Sequence, residues 1–356
     1  MRMTRSATLA AAIAIVVPLL GQAAPAAAAP STASSWHVVK AVSGSDFPEF
    51  SAVASWSSAG AWAFTSAGSN TEPHAYQQDG STWVRRSFPG EVGESVSSAT
   101  ASSASNVWVF TVTSASKERV LRYNGHTWSV VPTSGKLINS GLALSSSDVW
   151  VFGSTFGPST GTVHYNGHSW TRYGSGAGLF GGSALSPDSI WAYGTHQVGH
   201  WNGDRWTTTS VASLLSTGCG NPGFLTGIHA ISAEDVVAVG AGGCSENGGP
   251  LVLLRYNGVN WERLRLSKTI AANAVTVIGD GAFGVWIPVI SGAPPASSMY
   301  HLTGHTLARV SLPVSTQHLD VESAAIGAGT TRALAVGLIR TTGDTKSTAV
   351  ILRYQP

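Results

Sequence analysis

Carboxylates are scarce in this chain, with 18 Asp and Glu in 356 residues. Six of them fall, with one histidine, just ahead of three runs of small residues. They are Asp46 and Glu49, Glu91 and Glu94, and His318, Asp320 and Glu322. Carboxylates that converge from separate segments can hold a cation or a cationic ligand, or can divide general acid and base roles between them. Glu49, Glu94, Asp320 and Glu322 are the candidates for such catalysis. His318, Asp320 and Glu322 alternate, which places them on one side of an extended strand. Their spacing matches no metal or catalytic motif, and a chain with so few charges needs solvated loop charge for solubility. The second consideration weighs more. The spacing also gives no cofactor site and no metal site.

Whether the groups meet depends on the elements that carry them. The stretch LRYNGHTW, ending at Trp128, returns as VHYNGHSW ending at Trp170, GHWNGDRW ending at Trp206 and LRYNGVNW ending at Trp261. Looser copies end at Trp83 and Leu307. An aromatic, then Asn-Gly, two residues and a Trp reads as a tight β-hairpin, with Gly supplying the positive φ. The flanking aromatics then face each other, and such a pair is worth up to ~1 kcal/mol. A second element precedes each hairpin: a Ser-rich turn, Asp or Asn, an apolar-aromatic pair and often Gly. Examples are SSSDVWVFG through Gly153 and SAEDVVAVG through Gly240.

Each unit therefore reads as four strands in roughly 36 to 55 residues, the period of a propeller blade. Seven units follow from the fourth strands at Trp36, Trp83, Trp128, Trp170, Trp206, Trp261 and Leu307. The expected fold is all-β, a seven-bladed β-propeller of four-stranded antiparallel blades. It begins with an orphan fourth strand and ends with an orphan third strand, and pairing these two closes the ring and removes open edges. Small residues should form the innermost strands, and the Trp residues of second and fourth strands should fill the wedges between blades.

Units such as DVWVFGSTFGPSTGTVHYNGHSWTRY resemble kelch-type repeats and, more broadly, the propeller of galactose-oxidase-like central domains. Gly153 followed by Ser154 and Gly194 followed by Thr195 depart from the kelch double glycine. Tyr123, Tyr165 and Tyr256 stand where a sialidase-type Asp-box turn carries its Asp, which disfavours that family. The resemblance implies an exported bacterial propeller serving as an oxidase, a lyase or a binding scaffold.

Arg2 and Arg5 precede an apolar run from Ala7 to Leu20 and small residues from Ala23 to Ala29. This is the pattern of a secretory signal peptide over residues 1–28. A short linker (29–35) and a single propeller domain (36–356) follow. The expected product is secreted, extracellular and monomeric, with no membrane insertion. Loss of Arg2 and Arg5 leaves 18 of the 20 basic residues against 18 acidic ones. A balanced chain argues against nucleic acid, which needs a basic stripe.

The blade order assigns two faces. Ser-Asp and Asn-Gly turns repeat on one, where His126, His168 and His305 read as solvated turn residues. Loops of variable length and chemistry occupy the other, including the blade-joining loops that carry the acidic residues. Blades seven, one and two are consecutive in a closed ring, so one side of the channel mouth should be acidic. Cys219 and Cys244 map to the variable face of one blade, and export favours a disulfide between them worth ~3 kcal/mol. These readings point to a non-catalytic secreted scaffold binding a glycan, a cell-wall component or a protein through the variable face. The competing reading is a carbohydrate-active hydrolase or lyase with carboxylates at the mouth.

Overall fold

The computed structural model describes residues 35–43, 49–132, 138–153, 161–218, 221–243, 249–272, 274–290, 297–313, 318–340 and 347–356. Seven antiparallel sheets form a ring of blades. Blade one runs Glu49–Ser57, Gly60–Ser66, Ala75–Asp79 and Thr82–Arg86, from the axis outward. Blade two runs Ser95–Ser103, Asn106–Val112, Glu118–Tyr123 and Trp128–Val131. Blades three and four repeat this order from Ile138–Ser145 and Leu179–Ser186. The innermost strand of blade five is the long Asn221–Ser232, and that of blade six is split into Ala274–Val275 and Ile278–Gly279.

Blade seven combines both ends of the chain. Its inner strands are His318–Ile326, Ala333–Arg340 and Ser347–Gln355, and its outer strand is Ser35–Ser43. Trp36 lies opposite Tyr354 in this pairing, as Trp128 lies opposite Tyr123 and Trp170 opposite Tyr165. The closure is thus the same aromatic hairpin as in blades two to five, cut at its turn.

The Asn-Gly turns form as their chemistry dictates. Asn166 Oδ1 accepts from the amides of His168 and Ser169, and the Tyr165 hydroxyl donates to the Gly167 carbonyl at 2.7 Å. Gly167 sits at φ 96°, a region that other L-residues rarely adopt. In blade one, where the hairpin is degenerate, Gln78 Nε2 donates to the Gly80 carbonyl instead. The glycine that recurs late in several second strands has a different cause. A Cβ on Gly337 would lie 1.8 Å from the Asp320 carbonyl oxygen, so only glycine lets the second strand pass the innermost one there.

Between blades, the second-strand Trp of one meets the fourth-strand Trp of the next. Trp62 packs edge-to-face on Trp128 at 5.5 Å, Trp150 on Trp206 at 5.6 Å, and Trp286 on Trp36 at 5.5 Å. Such pairs add about 0.5–1.5 kcal/mol beyond the area they bury. Trp108 with Trp170 and Trp191 with Trp261 repeat the contact. The joint between blades five and six lacks it: Val237 and Leu307 occupy the two positions, within one aliphatic cluster.

Candidate functional site at the channel mouth

All seven innermost strands line an axial cavity of about 380 Å³. Small residues such as Ala54, Ser98, Gly141, Ser183, Gly227 and Ala324 make up much of its wall, because seven strands crowd the axis, and larger side chains such as Leu142, Ile278 and Ile326 share it. A bulge interrupts most of these strands near their start. In blade seven it falls between Val321 and Ser323, and Glu322 is the residue left without a ladder partner. Bulges re-aim side chains. The alternation of His318, Asp320 and Glu322 therefore stops at Glu322, directly ahead of Ser323, where the cavity wall begins.

Glu49 opens the innermost strand of blade one, which packs beside that of blade seven. The three carboxylates Glu49, Asp320 and Glu322 act on one another there. Partial burial pushes Glu322 up to about 7, and the negative charges of Glu49 and Asp320 add to the rise against the pull of Arg340. Burial also raises Glu49, with Arg340 opposing and Asp320 assisting. Arg340 Nε lies 3.4 Å from Asp320 Oδ2, with Asp320 largely covered and the arginine open to solvent. The mouth thus holds two carboxyls with a raised affinity for protons and one carboxylate tied to a guanidinium.

Glu91 and Glu94 belong to a different cluster. Glu94 is fully buried, receives the Arg119 guanidinium at 2.7 Å and accepts from the Glu91 amide at 2.7 Å and from the Thr111 hydroxyl. Arg119 also reaches Glu91 at 3.3 Å and the Pro89 carbonyl at 3.2 Å. Arg119 and Thr111 stand on the third and second strands of blade two, outward of the innermost strand. This ion pair fastens the loop between blades one and two to blade two. Asp46 lies outside the described residues, as do Cys219, Cys244 and residues 1–34. His318 pairs by its backbone with Arg340.

Two channel residues belong to no motif of the sequence. His229, on the innermost strand of blade five, has its Nδ1 3.4 Å from Ser183 Oγ. Burial lowers it to about 4, against the opposing effect of Asp280. Tyr193 lines the cavity from the second strand of blade four, and burial pushes it up to about 12, against a hydrogen bond from Asn139. It occupies the position that Phe64, Phe110 and Phe152 hold in blades one to three. A His in a run otherwise made of small and aliphatic residues was the available clue to His229.

Three Asp or Ser to His contacts on the regular-turn side look like catalytic dyads but are part of the packing. His164 Nε2 meets Asp148 Oδ1 at 2.9 Å while its ring stacks on Trp150 at 4.5 Å. His301 meets Asp280 Oδ2 at 2.8 Å and stacks on Trp286 at 4.1 Å. Burial works to raise Asp280. The bonds from His301 and from the amides of Ala282 and Gly284 outweigh it and hold the group below the usual range. His200 stacks on Trp191 with Ser189 as its partner, and burial lowers it. Each His is the register partner of its Trp, so the pattern is a cross-strand staple. His126, His168 and His305 are exposed turn residues. Among the described residues, no group of three or more His, Cys, Asp or Glu is placed to hold a metal ion, and no helix is long and apolar enough to cross a membrane.

No protein-family model matches the sequence, and no curated relative does. The fold, by contrast, is shared with solved propellers. YCF48 from Cyanidioschyzon merolae aligns with a TM-score of 0.58 at 17% identity, over 90% of this chain and 99% of that one. A structure described as YCF48 bound to D1 peptide aligns with a TM-score of 0.56 at 13% identity, over 90% and 97%. The GH74 xyloglucanase of Xanthomonas campestris aligns with a TM-score of 0.58 at 12% identity, over 87% of this chain and 54% of that one. At such identities the likeness is one of fold: a seven-bladed β-propeller.

Proposed function

We propose that this chain is an exported, non-catalytic binding propeller that takes a glycan, a cell-wall component or a protein on its variable-loop face, at the acidic mouth of the channel. The observation that carries this reading is the convergence of Glu49, Asp320 and Glu322 beside Arg340 at the end of a channel whose wall, among the described residues, carries no other carboxylate. Such a mouth offers hydrogen-bond acceptors and net negative charge but little reacting machinery. Glu94 is consumed by Arg119 and Asp320 by Arg340, which leaves two of the four catalytic candidates. The likeness to a propeller described with a bound peptide suits this role. Within the same reading, the blades are degenerate kelch-type repeats, residues 1–28 are a signal peptide and the mature chain is a monomer. A disulfide joins Cys219 to Cys244. Asn221 and Gly243, their close neighbours in sequence, face each other in the blade-five ladder, which supports that pairing.

One observation favours the enzyme reading. Glu322, pushed up to about 7 beside Glu49, divides between its protonated and ionised forms at neutral pH, and a raised carboxyl of this kind is what the general acid of a glycoside hydrolase needs. A thermal-shift screen of the mature protein against metals, glycans and cell-wall fragments separates the readings, because a ligand of the native state raises Tm by mass action. The expected result is a hit that disappears in the E49Q/D320N/E322Q variant without turnover in the native protein. A hit that survives in that variant overturns the placement at the mouth. Release of product abolished by E322Q establishes the enzyme reading instead.

A further inference from the structure

The repeat loses one Trp at the joint between blades seven and one, where Leu334 meets Trp83, and both at the joint between blades five and six, where a groove opens. Blades one to five and blade seven each present an aromatic at the head of the fourth strand: Trp83, Trp128, Trp170, Trp206, Trp261 and Trp36. Blade six presents Leu307, and the second-strand Trp it should meet on blade five is Val237. Two indoles are absent from one wedge. The end of the joint near the regular turns is held by a polar contact instead. Arg255, bound to Asp235 through two bonds of 2.7 Å, donates across the joint to the Gly304 carbonyl.

The rest of the wedge stays open as a groove of about 800 Å³. The connection from blade five forms its lip. Leu264 and Ile270 both bond to the third strand of blade five, at Leu253 and Leu251, so residues 265–269 bow outward between these anchors. The lip brings Arg265 and Lys268; the outer strand and turn of blade six bring Arg309 and His305; Tyr300 and Leu307 supply apolar surface. Arg265, Lys268 and Arg309 are exposed and have no ion-pair partner among the described residues, and the lining contains no carboxylate. Three uncompensated cations share one groove in a chain whose overall charge is close to balanced. Hydroxyls of Ser267, Thr269, Ser298 and Thr306 line the same surface.

We infer that the groove between blades five and six is a binding site for an acidic glycan, a chain of sugars bearing carboxylate or sulfate groups. Spaced cations meet charges distributed along a chain. An aromatic ring beside hydroxyl donors suits sugar rings, which present an apolar face and a polar edge. The groove is far larger than a single inorganic anion requires. This site lies on the rim of the ring, and it stands whether or not the acidic mouth binds anything.

The test uses the whole mature protein with polygalacturonate, heparin, neutral dextran and poly-glutamate as probes, measured by calorimetry at two salt concentrations. The expected result is binding of an acidic glycan, without dextran, that weakens as salt screens the cations. The R265A/K268A/R309A variant should weaken it at least about tenfold. Leu307→Trp restores the residue that the other blades carry and plugs the groove with every charge in place; it should lower affinity at an unchanged or higher Tm. The E49Q/D320N/E322Q variant should bind as the native protein does. No binding of either acidic glycan, binding indifferent to the triple alanine change, or binding indifferent to Leu307→Trp with the fold intact overturns the site. Poly-glutamate bound as tightly as the glycans would make it a general anion surface and overturn the choice of ligand.

Discussion

Glu94 directly precedes one innermost strand and Glu322 sits at the bulge within another, and their surroundings give them opposite tasks. Glu94 is enclosed and held by Arg119, Thr111 and the Glu91 amide. Removing one partner of a buried pair leaves the other charge without compensation, a loss of about 3–5 kcal/mol. Glu94→Ala should fall near the lower end, about 3 kcal/mol, because Arg119 keeps Glu91 at 3.3 Å. Urea unfolding of the variant checks this, and ligand binding at the mouth should be unchanged. Glu322 shows its effect through pH. Its carboxyl titrates near 7 in the fold against an ordinary 4.5. Between those values the folded state holds a proton that the unfolded chain has released, so stability falls as pH rises from 4.5 to 7 and is level on either side. Glu322→Gln should therefore raise Tm at pH 8 and leave it nearly unchanged at pH 4. A smaller slope should persist from Glu49, which is shifted the same way. The grouping of acidic residues by strand order was legible in the sequence, since blades seven, one and two are neighbours. Their division into a mouth cluster and an ion pair was not. It depends on Arg119, a third-strand residue that no repeat pattern marks, and on a bulge that breaks the alternation at Glu322.

At the scale of the element, the hairpin was the most legible feature because turn chemistry is local. Asn, Gly and two aromatics specify the turn and its register without reference to the rest of the chain. Gly167 tests how tightly. Its φ of 96° strains any Cβ, and a Cβ there would lie 2.8 Å from that of Ser147 in the neighbouring turn. Gly167→Ala should cost about 1–3 kcal/mol, measurable as a shift of the denaturation midpoint. The same change at Gly80 meets nothing within 4 Å, so only the backbone strain remains and the loss should be smaller. The stacked His–Trp staples were less legible. DVW and HYNG appear as separate motifs in sequence, and only the register Trp150 to His164 joins them.

At the scale of the whole molecule, the ring is closed by a hairpin divided between the two ends of the chain. Trp36 and Tyr354 occupy the positions of Trp128 and Tyr123, and Trp36 packs on Trp286 of blade six as a fourth-strand Trp should. Both ends of the chain thus build one blade, and the ladder between them clasps the ring. The neighbouring joint, between blades seven and one, has Leu334 rather than Trp against Trp83, so it is not a joint that aromatic packing alone holds firmly. A permuted chain separates the two contributions. It would begin at Glu49 and join Tyr354 to Trp36 through Asn-Gly-Ser-Ser, completing the hairpin as the other blades do and leaving blade seven whole within one end of the chain. It should fold with an unchanged circular dichroism spectrum, because every strand keeps its neighbours. It should unfold faster than the native order in tryptophan-monitored kinetics, because blades seven and one then meet through side-chain packing without the clasp. Equal unfolding rates would mean that the packing of Phe50, Trp83, Leu334 and Ile351 suffices to hold the ring, and that the divided blade serves to remove open strand edges rather than to lock the circle.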